Sequence, residues 1–551
     1  MTNDRLTDAL AKALATLGLS AERLDVSPPR DPSHGDASTN VALPLAKQAG
    51  RNPREVAQEI ADALDLAASQ VESVEVAGPG FLNFRYGPAW YEGVLREIVS
   101  ARDDYGRSGT LAGTRIQVEF VSANPTGPLN VVSARAAAVG NAIANLLAFA
   151  GADVEREFYV NDAGQQVRKL ALSVLERLKE LAGEDWEIPE GGYHGEYLKE
   201  IAAEIAEREP EVRDLPEEEA VARLRDLAVE RMVERQRAEL LDYGVVFDRW
   251  FRESSLGDGS EGKDWVVFAR ERLEASGETY EKDGAVWLRT TPHGTNEDKV
   301  IVKQDGVPTY LLPDVAYHLH KYDRGFDPAI DLWGPDHHAH VAEMHAALEI
   351  LGYPKERLEV QIVQQVNFTE GGERVKMSKR AGSIVTLGEL RDDVGVDVAK
   401  FFFLMRKQAS HLDFDLDLAR QQSEENPVFY VQYAHARVAS LIRFAEERGY
   451  ATPEADGVDL ADVTTGDARP LVLLLSDFPR LLDGATAARE PHRITTYLRE
   501  VSSRFHSYYH DNRIVTDDEA ATRARLVLSL ATKTVLANGL RLLGVAAPER
   551  M

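Results

Sequence analysis

The chain has 551 residues, with 63 Lys and Arg against 91 Asp and Glu, a formal net charge of −28 and no cysteine. Disulfides, thiolate zinc sites and cysteine nucleophiles are therefore excluded, whereas sites built from His and carboxylate stay open. So acidic a balance argues against non-specific binding to a polyanion, and any nucleic-acid contact has to come from a local basic surface.

The length exceeds what one core serves and predicts roughly three or four domains. With 44% hydrophobic and 28% charged residues the chain reads as soluble and globular. No window reads as long or apolar enough to span a bilayer, and the opening MTNDRLTDAL lacks the basic region and apolar core of a signal peptide. The expectation is a cytoplasmic protein with no membrane anchor.

Residues 1–104 read as a small α/β module. An amphipathic helix comes first, and Asn52-Pro53 starts a second one, with Glu55 in its first turn. The polar loop containing His34 and Asp36 reads as surface. VEVAGPGFLNFRY reads as two strands around Gly78-Pro79-Gly80, with Phe81 and Phe84 as core.

IQVEFV (Ile116 to Val121) then reads as a strand, Asn124-Pro125-Thr126-Gly127-Pro128 as a forced turn, and the Ala-rich stretch from about Ser133 as a helix. This places backbone N–H groups and a positive helix end beyond the carboxyl end of a strand, an arrangement that holds anions. VEREFYV completes a βαβ unit and implies a parallel sheet, with a nucleotide site at the strand ends. A charged helical region from about Gln165 to Asp242 follows, most of its charges reading as a solvated face. In GVVFDRWFRESSL, Glu253 interrupts an aromatic and basic run.

Residues 280–335 return to strand-like runs, AVWLRT, KVIVKQDG and VPTYLLPDVAYHLHKY, closed by DLWGPDHHAH. Asp336, His337, His338 and His340 are conceivable metal ligands. A nucleotide-ribose site or a helix start is the better reading, because adjacent histidines in one turn point in different directions. Lys376-Met377-Ser378-Lys379-Arg380, just after Gly371-Gly372, sets three cations beside a glycine hinge, where they can close over a triphosphate. From Leu412 the pattern is helical, and the run through Arg499, Arg504, Tyr508, Tyr509, His510 and Arg513 interleaves arginines with aromatics, as suits stacking on unpaired bases.

EFVSANPTGPL, REFYVNDAG, FDRWFRESSL, PTYLLPDVAYHLHKYDRGFD, LWGPDHH, VKMSKRAG and VQYAHAR together resemble the arginyl-tRNA synthetases, a class I aminoacyl-tRNA synthetase family, over essentially the whole chain. The resemblance implies an α/β fold with a Rossmann-type parallel-sheet catalytic domain at 105–411, carrying a helical insertion at about 165–260. It also implies an additional tRNA-binding domain at 1–104 and a helical anticodon-binding domain at 412–551. The reaction it implies joins L-arginine to tRNA(Arg) through arginyl-adenylate, with ATP and Mg²⁺, in a monomer. It assigns Glu119, Ser122 and Asn124 to the α-amino and carboxylate end of arginine and Tyr310 and Asp314 to the guanidinium end. Gly127, Pro128, Asn130, Ser133, Gly334, Asp336, His337, Met377 and Ser378 would contact ATP, and Lys376, Lys379, Asn130 and Ser133 would serve catalysis.

The chain departs from that pattern at one place: the family's His-Val-Gly-His is Asn130-Val131-Val132-Ser133. Asn130 and Ser133 still offer neutral hydrogen bonds but no positive charge, and Val132 puts a β-branched side chain where the family has none. Losing one such donor costs about 3 kcal/mol of transition-state stabilisation. One reading is a working enzyme with a shifted ATP pose; another is a synthetase-like tRNA-binding or regulatory protein with impaired activation. A third, a nucleotidyltransferase making a small-molecule adenylate, is opposed by the Arg/Tyr face of the C-terminal helices.

Overall fold

The computed structural model describes residues 4–375, 386–451 and 454–551. Near the N-terminus, strands β1 (Ala37–Thr39), β2 (Val71–Ala77) and β3 (Phe81–Tyr86) form an antiparallel sheet in the order β1-β3-β2. The Asn52 side chain caps the helix Pro53–Ala63 by accepting from the Arg54 N–H, as the Asn-Pro pair leads one to expect. Phe84 is core, but Phe81 is 37% exposed, because the turn at Gly78 to Gly80 delivers it to the sheet rim.

The central sheet is built from β4 (Arg115–Glu119), β5 (Asp153–Val160) and β6 (Arg249–Arg252) on one side. After a separate antiparallel sheet of β7 (Thr279–Lys282), β8 (Ala285–Leu288) and β9 (Lys299–Val302), it is completed by β10 (Ala329–Trp333) and β11 (Leu358–Ile362). Its five strands are all parallel, in the order β11-β10-β4-β5-β6. The strand order reverses between β4 and β10, and the crevice beyond their carboxyl ends is where such sheets bind ligands.

The crossover from β4 to β5 is the helix Val131–Phe149. At Gly140 a Cβ would collide with the Phe120 ring, so helix and strand end pack at backbone distance there. One expectation is corrected here: this helix is long and apolar enough to cross a membrane by length and composition. Its apolarity serves the core, since 72% of the window is buried inside the fold.

Between β5 and β6 the charged region is three helices, Gln165–Ala182, Tyr197–Arg208 and Glu217–Asp242, with a core of their own around Leu170, Leu198, Leu224 and Met232. The glycines between Gly183 and Gly195 and the prolines at 210 and 216 break what reads as one charged stretch. VPTYLLPDVAYHLHKY is a helix from Leu311 to Asp323 and not a strand. Pro313 falls in its first turn, where no N–H is required, and the apolar side chains behind it are fully buried.

A third small sheet, β13-β12-β14, joins β12 (Val366–Glu370), β13 (Glu373–Val375) and β14 (Leu412–Asp415). Gly371 and Gly372, both at positive φ, make the tight β12–β13 hairpin. The stretch from Leu412 therefore begins with a strand, paired in parallel with β12, before the helices to Leu542. Those helices close back on the N-terminal module: Arg469 donates to the Tyr86 carbonyl, and Asn538 to the carbonyls of Arg102 and Tyr105.

Candidate active site

β4 ends at Glu119, and the chain then turns through Val121 (φ 69°) and Ser122 (φ 40°), a conformation that costs a non-glycine residue about 1–3 kcal/mol. The turn is held by Ser122, whose Oγ donates to Glu119 Oε1 at 2.9 Å and accepts from the Tyr159 N–H at 3.1 Å. Beyond it the helical insertion grips the segment 124–129. Gln236 Nε2 donates to the carbonyls of Asn124 (3.1 Å) and Gly127 (3.0 Å), Tyr197 Oη donates to the Thr126 carbonyl (2.6 Å), and Glu239 Oε2 accepts the Leu129 N–H (2.9 Å). Asn124 Nδ2 in turn donates to Gln166 Oε1 at 2.9 Å. Pro128 is half-buried in this turn, and Gly127 faces the Tyr197 hydroxyl, where a Cβ would sit 3.5 Å away.

Asn130 is the N-cap of the helix Val131–Phe149: its Oδ1 accepts from the Ser133 N–H at 2.9 Å and from Ser133 Oγ at 3.2 Å. Asn130 is exposed, whereas Ser133 is buried and spends its hydroxyl on that cap. The cap leaves Asn130 Nδ2 as the outward donor. Thr386 pairs with Asn130 as an isolated bridge, and the Leu387 N–H donates to the Leu129 carbonyl at 2.8 Å. Lys376, Met377, Ser378 and Lys379 lie outside the described residues. On the other limb, fully buried Arg135 donates to the carbonyls of Gln364 (2.6 Å), Gln365 (3.4 Å), Lys407 (3.1 Å) and Ser410 (2.9 Å), and burial lowers its guanidinium to about 10.

At the end of β10, Gly334 leaves room for the Asp336 carboxylate, whose Oδ1 would lie 2.6 Å from a Cβ at that position. Asp336, His337 and His338 are exposed, while His340 turns inward. Its Nε2 meets Asp314 Oδ2 at 2.7 Å and its Nδ1 meets Glu343 Oε2 at 3.2 Å. Against a burial that would lower it, Asp314 and Glu343 raise the His340 pKa. Glu343 also takes Tyr310 Oη (3.1 Å) and Lys299 Nζ (2.9 Å). Tyr310 and Asp314 thus stand one turn apart at the start of the helix Leu311–Asp323, Tyr310 65% exposed at its N-cap. Among the described residues no group of three or more His, Asp or Glu side chains could hold a metal ion.

Glu253 is the residue sequence reasoning passed over. Asp162 accepts from the N–H and the hydroxyl of Ser254, at 2.9 and 2.7 Å, and so fixes the segment directly after β6. Burial, with Asp314 and Asp162 nearby, pushes the Glu253 carboxyl up to about 7, and the neighbouring Tyr159 hydroxyl partly counters this. Two carboxylates repelling each other in a half-buried pocket suit a guanidinium. Its signal in sequence was an acidic side chain inside an aromatic and basic run.

Beneath Glu119 lies a buried ionic network. Lys321, fully buried, donates to Glu119 Oε2 at 2.6 Å and to Asp331 Oδ1 at 2.8 Å. His318 Nε2 lies 2.9 Å from Asp331 Oδ2, and its Nδ1 lies 2.7 Å from the Asp314 carbonyl oxygen. Burial pushes the Glu119 carboxyl up and Lys321 pulls against it, whereas Asp331, equally buried, is held at about 2 by Lys321 and His318.

The chain is similar to known proteins over nearly all of its length. Three family models match: arginyl tRNA synthetase N terminal domain over residues 4–86, tRNA synthetases class I (R), catalytic domain, over 96–409, and DALR anticodon binding domain over 431–551. The arginine–tRNA ligase of Syntrophotalea carbinolica is 48% identical over 529 residues, 96% of this chain and 95% of its own. The chain belongs to the arginyl-tRNA synthetases. A second relative, the arginine–tRNA ligase of Symbiobacterium thermophilum, is 46% identical over 99% of this chain and 98% of its own. The solved Thermus thermophilus arginyl-tRNA synthetase aligns over 100% of both chains with a TM-score of 0.76; at 24% identity this likeness is one of fold.

As a synthetase, the chain has an α/β catalytic core with an N-terminal module and C-terminal helices. Glu119 and Ser122 meet just beyond β4, and Tyr310 and Asp314 stand at the start of the helix Leu311–Asp323. Asn124 is turned to Gln166, and the exposed pair Asp336 and His337 stands at the β10 rim.

Proposed function

We propose the following division of labour for the arginine–tRNA ligase reaction of this class I synthetase. Asp314, Glu253 and Tyr310 take the guanidinium, and Glu119, Ser122 and Asn124 take the α-ammonium and carboxylate. The observation that supports this most is that three carboxylates, Glu253, Asp314 and Glu119, all act on the Tyr159 hydroxyl beside the sheet's switch point. Arginine carries a cation at each end to meet such a set of carboxylates.

ATP lies against the turn at Gly127 and Pro128 and the N-terminus of the helix Val131–Phe149, with Asn130 Nδ2 as a neutral donor and Ser133 supporting it through the cap. Gly334, Asp336 and His337 serve the ribose, and Met377 and Ser378, outside the described residues, are further ATP contacts. The arginine carboxylate attacks the α-phosphorus and pyrophosphate leaves; the terminal ribose hydroxyl of tRNA(Arg) then attacks the carbonyl and AMP leaves. Lys376 and Lys379 offset charge on the departing pyrophosphate, so the step rests on positioning and electrostatics. Mg²⁺ would come bound to the triphosphate, since the described residues build no cage for it.

The domains divide at 104 and 411. The cleft of about 760 Å³ lined by Arg30, His34, Asn40, Phe81 and Asn83, with its exposed Phe81, supports an RNA contact by the first. Arg437, which lies over both Tyr433 and Tyr509, supports one by the last. Tyr508, in contrast, is buried and packs the helix bundle. The protein is proposed to act in the cytoplasm as a monomer.

ATP–pyrophosphate exchange with arginine, with and without tRNA(Arg), tests the reading. Exchange is expected with tRNA; its absence under both conditions would favour a tRNA-binding protein that cannot activate arginine.

A further inference from the structure

The helix Leu311–Asp323 carries Asp314, His318 and Lys321 at spacings of four and three residues, which puts them on one face. Each is tied to the sheet or to the site. Asp314 meets His340, His318 and Lys321 both reach Asp331 on β10, and Lys321 continues to Glu119 at the end of β4. Both ring nitrogens of His318 meet oxygens, those of the Asp331 carboxylate and the Asp314 carbonyl. Glu119, His318, Lys321 and Asp331 are all buried.

We propose that Lys321, with Asp331 and His318, is a positioning relay that sets the separation between Glu119 and Asp314 and keeps Glu119 charged. This makes the helix a ruler for the length of the amino acid, measured from α-ammonium to guanidinium. The proposal rests on the reading in which those two carboxylates take the two ends of arginine.

A lysine here does what packing alone does not. Glu119 is faced by Lys321, His318 and Tyr317 from the helix, by Asp331 from β10, and by Glu157 and Tyr159 from β5, with Arg324 beyond Glu157. Arg324 and Tyr317 both bond Glu157, so its charge is met separately. Among the described residues, Glu119 has only Lys321 as a directly bonded cation. Remove Lys321, and a buried carboxylate beside Asp331 loses the cation that opposes its protonation.

Lys321→Met is expected to raise the arginine KM ten-fold or more with kcat within about three-fold, because Lys321 touches Glu119 and not the reacting atoms. The acid limb of kcat/KM should move up by about one pH unit or more. Discrimination against the homologue one methylene longer should shrink, from the roughly 10–200-fold one methylene supplies. A double-mutant cycle separates relay from packing: with Glu119→Gln in place, adding Lys321→Met should change arginine affinity, measured by calorimetry, less than two-fold.

If Lys321→Met alone loses its cooperative thermal transition, the cycle still decides, since the double variant leaves no unpaired Glu119. Wild-type arginine KM, pH limb and discrimination in Lys321→Met, or a full additive loss in the cycle, overturns the relay. Wild-type exchange alongside that result leaves the arginine reading standing. Failure of the unaltered chain to exchange removes both.

Discussion

Leu129 and Glu239 lie 110 residues apart in the chain, yet the Leu129 N–H is satisfied by Glu239 Oε2 at 2.9 Å. The bond ties the ATP-side turn to the longest helix of the insertion, and Gln236, one turn earlier, holds two carbonyls of the same turn. Gln236→Ala leaves both carbonyls without that partner, and Glu239→Ala does the same to the Leu129 N–H, each costing about 1–3 kcal/mol. Both variants should melt earlier and show a raised KM for ATP, with the KM for arginine nearly unchanged. Equal changes in the two KM values would mean that the clamp serves the whole crevice.

Asn130 has two duties that substitution can separate. Asn130→Ala removes the cap and should cost about 1 kcal/mol in stability. Asn130→Asp keeps the cap, since the two residues are about equal there, but sets a negative charge beside the triphosphate. It should melt like the parent while its ATP KM rises about ten-fold or more. An unchanged ATP KM in Asn130→Asp would place the phosphates elsewhere.

The Glu253 carboxyl, raised to about 7 by burial, gives a pH signature with a definite sign. In the folded chain it holds its proton longer than in the unfolded chain, so between its ordinary value of 4.5 and about 7 stability falls as pH rises, by up to about 3 kcal/mol. Arginine binding brings a cation to the ionised form and reverses that loss. Calorimetry in buffers of differing ionisation heat should therefore show proton release on arginine binding, largest near pH 7 and absent in Glu253→Gln. Arginine should also protect against heat more at pH 8 than at pH 6.

Arg135 donates to four carbonyls, on the segments around residues 364–365 and 407–410. Arg135→Met fills much of the volume but strands those acceptors, and should cost about 2–4 kcal/mol. Hydrogen exchange should show the loosening at residues 364–368 and 407–414 before any other part of the catalytic core. Uniform loss of protection would mean that Arg135 supports global stability only.

The strand, turn and helix around Glu119 were legible because two hydrophobic periods meet at a proline-glycine turn, and the cap at Asn52 follows from residue type, whereas the cap at Asn130 starts its helix at Val131, ahead of the expected Ser133. Tyr310 and Asp314 lie one helical turn apart, although their stretch reads as strand-like in the sequence. What stayed hidden was set by tertiary contact. Gln236 and Glu239 look like any charged helix face, and only the packing of the insertion turns them to the 124–129 segment. His340, grouped in sequence with His337 and His338, points the other way because burial and Asp314 claim it. Lys321 gives no warning at all: a lysine in HLHKYD reads as surface, and its burial depends on two carboxylates from strands far off in the chain.

The insertion holds the turn chiefly by main-chain atoms, the oxygens of Asn124, Thr126 and Gly127 and the nitrogen of Leu129. Such a grip is blind to most of the side chains the turn displays. The shape of the turn can therefore be inherited separately from its chemistry: imidazoles at positions 130 and 133 can be exchanged for an amide and a hydroxyl while the backbone they hung from stays where the scaffold keeps it.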